Sequence, residues 1–94
     1  MWRNGEKADF DGFAQGILRE TKGLGYDKHF KANLEPREYF TGAKRLVRQA
    51  ERQLRVANGV PIRWHVAEPR MVAILKRLFE EARIKGIDVV HTPP

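Results

Sequence analysis

The sequence predicts an α/β domain, a mixed sheet flanked by helices in the order β-β-β-α-β-α-β. Three observations carry that expectation. Short alternating runs at the N-terminus are separated by tight-turn residues at Asn4-Gly5 and Ala14-Gln15-Gly16. A long segment follows with apolar residues at helical spacing. The last third reads strand, helix, strand, the pattern of a crossover between parallel strands.

Asn4-Gly5 is a strong short hairpin signal, so strands are expected over about 1–3, 7–13 and 17–22. Phe10, Phe13, Ile17 and Leu18 give the last two strands an apolar side. Ala14-Gln15-Gly16 reads as a three-residue link with its glycine in the left-handed position. Residues 23–35 read as a glycine-containing loop, with Phe30 and Leu34 tucked inward. The spacing predicts a helix over 36–57, with Pro36 in its first turn and Asn58-Gly59 at its end. Its stripe is Phe40, Ala43, Leu46, Val47, Ala50, Leu54 and Ala57, with Gln49 and Gln53 on the edge. Residues 60–67 alternate, with Val60, Ile62, Trp64 and Val66 on the buried side. His65, on the other side, reads as an ordinary sheet histidine. A second helix is expected over 69–84, carrying Val72, Leu75, Leu78, Phe79 and Ala82 and stopped by Gly86. A final strand runs from Ile87 to His91.

The 94 residues suit one domain spanning 1–94, and 41% hydrophobic content rules out a disordered tail. No run reaches the ~20 apolar residues of a membrane span. With no cysteine and no serine, disulfides, thiolate metal sites and serine hydrolysis are excluded. A net charge of +6 favours polyanionic partners and anticipates an acidic inhibitor if there is one.

The chemistry concentrates between residues 9 and 22. Glu20 and Lys22 alternate to one face of a strand while Thr21 faces the other. An aspartate on the neighbouring strand, Asp11 or Asp9, sits beside Glu20. Two adjacent carboxylates repel, and hard oxygen ligands of this kind suit Mg²⁺ or Mn²⁺. Lys22 reaches the same place, where it can orient a water or steady a phosphate oxygen. Asp11 is preferred over Asp9 because it lies nearer the turn and Gly12 leaves room beside it.

Asp11, eight intervening residues and Glu20-Thr21-Lys22 resemble the PD-(D/E)XK signature of the restriction-endonuclease-like nucleases. The proline that names the signature is absent before Asp11. The run Asp9-Phe10-Asp11-Gly12-Phe13 through Leu18-Arg19-Glu20-Thr21-Lys22-Gly23-Leu24-Gly25-Tyr26 resembles one branch more closely. That branch is the fifth group of restriction-endonuclease-fold toxin domains, found in bacterial polymorphic toxins and type VI secretion effectors. The resemblance is expected to extend through Gln49, Gln53, the strand at 59–64 and the strand at 86–89.

The resemblance implies a restriction-endonuclease-like sandwich whose first helix is missing, as in the C-terminal piece of a longer effector. It implies a Mg²⁺- or Mn²⁺-dependent nuclease, with DNA favoured over RNA as the substrate. Asp11 and Glu20 would hold the cation, with the Thr21 carbonyl a further ligand and Asp9 the alternative. Lys22 would activate water, and Gln49 would assist. Tyr26, Lys28 and Lys31 in the loop, and Arg45, Arg48 and Arg52 on the helix, would contact nucleic acid. Delivery into the cytoplasm of a target bacterium, and a cognate immunity protein in the producer, are further implications. The competing expectation is a non-catalytic nucleic-acid-binding or protein-interaction domain, with the same charges as surface ion pairs. A metal-independent enzyme of another class is the weakest of the three.

Overall fold

A computed structural model describes residues 1–37 and 40–94. Four short strands precede the first helix: β1 (Trp2–Arg3), β2 (Glu6–Lys7), β3 (Gly12–Ala14) and β4 (Ile17–Lys22). Then come α1 (Gly42–Ala57), β5 (Ile62–Val66), α2 (Pro69–Glu81) and β6 (Ile87–His91). Strands β3-β4-β5-β6 form one mixed sheet, antiparallel between β3 and β4 and parallel beyond. This is the mixed sheet with helices that a restriction-endonuclease-like fold requires.

The expected meander of three strands is corrected to two hairpins. Among the described residues β1 and β2 pair only with each other, and the expected strand over 7–13 divides into β2 and β3. The reason is local. Asn4 and Gly5 both take positive φ and close a two-residue turn, while Ala8 turns inward and is buried. The second hairpin also has a two-residue turn rather than a three-residue link. Gln15 and Gly16 both have positive φ, and Ala14 pairs directly with Ile17.

Helix α1 starts later than the spacing suggests. Phe30 and Pro36 form an antiparallel bridge, supported by Lys31 N–H to the Glu35 carbonyl at 2.7 Å and Arg37 N–H to the His29 carbonyl at 2.8 Å. Those bonds hold residues 30–37 out of the helix. Residues 38 and 39 of the expected helix lie outside the described residues. The Phe40 ring leaves the stripe, stacks on His29 at 4.5 Å and meets Phe30 edge-on at 5.3 Å. It lies so close over Gly42 that a Cβ there would stand 2.2 Å from the ring.

The buried stripe of α1 is Ala43, Leu46, Ala50, Gln53 and Ala57, with Val56 beside it. It packs on Leu18, Ile62 and Trp64 of the sheet. Helix α2 buries Met71, Ile74, Leu75 and Phe79 on the same sheet face, the Phe79 ring edge-on to Trp64 at 5.2 Å. Each such side chain contributes about 1.5–3 kcal/mol by leaving water, so this single layer is the main source of stability. Helix α2 ends at Glu81 instead of 84. Arg83 takes the left-handed conformation, and Ile84 N–H returns to the Phe79 carbonyl at 2.7 Å. No helix is long and apolar enough to cross a membrane, among the described residues.

Candidate active site

Strand β4 is central in the sheet, and its alternation directs Leu18, Glu20 and Lys22 inward under α1. Leu18 is ordinary core. Glu20 and Lys22 are buried too, at 6% and 8% exposure, which charged side chains tolerate only with partners. Arg19 and Thr21 face the opposite side.

The β3–β4 ladder ends where Asp11 N–H donates to the Arg19 carbonyl at 2.9 Å. One step further, Thr21 N–H has no strand to meet. It donates to Asp11 Oδ2 at 2.7 Å and to Glu20 Oε1 at 3.2 Å. The two carboxyl groups thereby converge on one amide hydrogen. By strand alternation the Thr21 carbonyl faces the same open edge as its N–H.

The pair divides its protons unequally. Burial first, and the neighbouring Asp11 carboxyl second, push Glu20 from 4.5 up to about 7. Asp11 is held below its ordinary range, mainly by the hydrogen bond with Glu20 and then by Thr21 N–H. Glu20 therefore carries the shared proton. Burial pulls Lys22 down, against the attraction of Glu20 and Asp11.

Two glutamines of α1 close over this pair. Lys22 Nζ donates to Gln49 Oε1 at 2.6 Å and lies 3.8 Å from Glu20 Oε2. The Gln49 amide donates in turn to Glu20 Oε2. Gln53, only 1% exposed, donates to the same Glu20 oxygen at 3.0 Å and accepts from the Trp64 indole at 2.8 Å. The Lys22 ammonium stands 5.0 Å from the Trp64 ring centre and 6.0 Å from that of Tyr26.

A cavity of about 430 Å³ opens beside the carboxylates. Asp9, Asp11 and Glu20 form one wall; Arg45, Arg48, Gln49, Arg52 and Gln53 form the other. The structure thus brings together Asp11, Glu20, Lys22, Gln49 and the three arginines. Lys22 touches Glu20 but does not line the cavity. Lys28, Lys31 and Tyr26 do not line it either. Their loop is clamped to the start of α2 instead. Glu68 accepts Tyr26 N–H at 2.8 Å, and Arg70 donates to the carbonyls of Asp27 at 2.9 Å and Phe30 at 2.8 Å. Asp9 and Asp11 do not share a strand, since both precede β3. Asp9 is exposed and pairs with Lys7 at 3.6 Å.

Spacing puts Gln53 on the helix edge, but it lies within the buried stripe. Its signal was an amide at a heptad position, where a polar group needs partners. Trp64, read as core alone, supplies one of them.

The donor set suits a hard divalent cation. Two carboxylates meet in one place; burial first and the Asp11 carboxyl second raise Glu20, a penalty that a cation would relieve. No group of three His, Cys, Asp or Glu side chains gathers among the described residues. Remaining positions would fall to the Thr21 carbonyl and water, which accords with the several waters Mg²⁺ usually retains.

The sequence model of the restriction endonuclease fold toxin 5 family matches residues 2–69. The match takes in the carboxylates, Lys22, α1 and β5, and stops short of the strand at 86–89 to which the resemblance was expected to extend. No curated protein and no solved structure matches the chain. The chain belongs to the restriction endonuclease fold toxin 5 family, a family of nuclease toxins.

Proposed function

We propose that the chain is a Mg²⁺- or Mn²⁺-dependent endonuclease that hydrolyses phosphodiester bonds, with DNA preferred over RNA. The observation that carries this reading is the convergence of Asp11 and Glu20 on the Thr21 N–H, with Lys22 behind them. Asp11, Glu20 and the Thr21 carbonyl would hold the cation. When bound, it would supply Lewis-acid stabilisation of the phosphate and a more acidic water.

The remaining work belongs to the side chains. Arg45, Arg48 and Arg52, on the wall opposite the carboxylates, meet the phosphates of the substrate strand. Lys22 keeps a positive charge against Glu20 and steadies the charge that develops on the phosphate. Its burial weakens its hold on its proton, so it can also pass one to or from a water. Gln49 ties Lys22 to Glu20 and holds their spacing. Asp9 is the alternative ligand, and its exposure argues against it. The family match supports a wider reading: an antibacterial effector domain, delivered into the cytoplasm of a target bacterium and neutralised in the producer by an acidic immunity protein.

Plasmid digestion by the purified protein tests the reading. Cleavage should require Mg²⁺ or Mn²⁺ and stop with EDTA. Asp11→Ala and Lys22→Ala should lose at least 100-fold in rate, while Asp9→Ala stays within a few-fold of the wild type. Parallel digestion of RNA decides the substrate. Cleavage that survives EDTA, or that Lys22→Ala leaves intact, defeats the proposal.

A further inference from the structure

We infer that Gln53 and Trp64 act as a positioning relay that decides which Glu20 oxygen faces the cavity. This rests on the metal-dependent reading above and adds residues that it does not use. The logic is one of donor and acceptor. An indole N–H can only donate, and that of Trp64 ends on Gln53 Oε1 at 2.8 Å. The Gln53 amide nitrogen must therefore point the other way. It donates to Glu20 Oε2 at 3.0 Å and reaches the Asp9 carbonyl at 3.4 Å. An ammonium likewise only donates, so Lys22 on Gln49 Oε1 turns that amide's nitrogen toward the same Glu20 oxygen.

Two amides with fixed polarity thus end on Oε2. Oε1 is left on the Asp11 side, where it takes the Thr21 N–H at 3.2 Å. Rotating the Gln53 amide would set its oxygen against a carboxylate oxygen and strand the indole N–H in the core. Gln53 does more than orient Glu20. Its second hydrogen reaches the backbone of Asp9, two residues before Asp11, so one amide holds both chain segments that bring the carboxylates together. Trp64 is 0% exposed and does not line the cavity, so water does not replace its indole's bond to Gln53.

Trp64→Phe removes the N–H and keeps an aromatic ring under Lys22. Gln53→Met keeps the length and removes both donors. Both variants should fold, bind Mn²⁺ about tenfold more weakly by calorimetry, and lose kcat with little change in KM for DNA. Phe79→Leu, which alters packing on the Trp64 ring and leaves the indole N–H in place, is the control for lost packing and should keep wild-type Mn²⁺ affinity. If Trp64→Phe does not fold, Gln53→Met decides the matter.

A second readout needs no metal. In the metal-free protein, Glu20→Gln should shift the Trp64 indole proton resonance. Trp2, the other tryptophan, is 68% exposed, and its indole should not move. Wild-type Mn²⁺ affinity in both relay variants, an equal loss in Phe79→Leu, or an unmoved Trp64 indole would overturn the relay. A wild-type protein that neither binds Mn²⁺ nor cleaves would instead defeat the nuclease reading, and the indole shift would still judge the relay.

Discussion

At the scale of single residues, the site departs from what folding alone would favour. Glu20 is buried against Asp11, and the pair holds a proton near neutrality. The linkage has a definite sign. The folded-state value of Glu20, about 7, lies above the unfolded 4.5, so folding takes up a proton between those limits. The stability Glu20 contributes is complete below about 4.5 and lost as pH rises toward 7. Glu20→Gln removes that dependence. Urea unfolding of the metal-free protein at pH 5 and pH 8 should show the variant gaining on the wild type at the higher pH, while its cleavage is abolished. The same proton predicts cation binding that strengthens as pH rises toward 7 and levels off above it, measurable by calorimetry in two buffers. The placing of Glu20 and Lys22 together was legible in the sequence because strand alternation alone puts residues 20 and 22 on one side. Which aspartate lies beside Glu20 was not, because it depends on where the β3–β4 ladder stops.

At the scale of elements, strand β4 and helix α1 build the site between them. The helix was legible from its apolar spacing, but its start was not. The bridge between Phe30 and Pro36 is a tertiary contact, and the departure of Phe40 toward His29 follows from it. Periodicity likewise cannot tell the edge of a stripe from its centre at one position, which is how Gln53 read as a flank. The loop after β4 mixes aromatic and basic residues as a substrate-contacting loop would. Its backbone instead satisfies Glu68 and Arg70, a pairing about 40 residues apart that no local pattern announces. Helix α2 gives a prediction about ends. Arg83 sits in the left-handed position that follows the helix, at φ 56° and exposed. Arg83→Gly should raise stability by about 0.5–1 kcal/mol in urea unfolding with cleavage unchanged, since glycine takes that conformation freely.

At the scale of the whole molecule, charge is divided between functions. On the proposed reading the net +6 would draw a polyanion, and Arg45, Arg48 and Arg52 on one wall of the cavity would receive it opposite the carboxylates. Each arginine that meets a phosphate adds about 0.9 to the slope of log affinity against log salt. Replacing any of the three by Ala should weaken DNA binding in Ca²⁺ and reduce that slope by about one. Lys28→Ala and Lys31→Ala should change it less, because neither lines the cavity. The account as a whole stands on Asp11 and Glu20 sharing one cation beside the Thr21 amide, and that amide is its most direct reporter. Titration with Mg²⁺, followed by the Thr21 backbone resonance in ¹H–¹⁵N spectra, should give a saturable shift that Asp11→Asn and Glu20→Gln each abolish and Asp9→Asn leaves in place. A Thr21 resonance that does not respond to Mg²⁺, or one that shifts equally in Asp11→Asn, would contradict it.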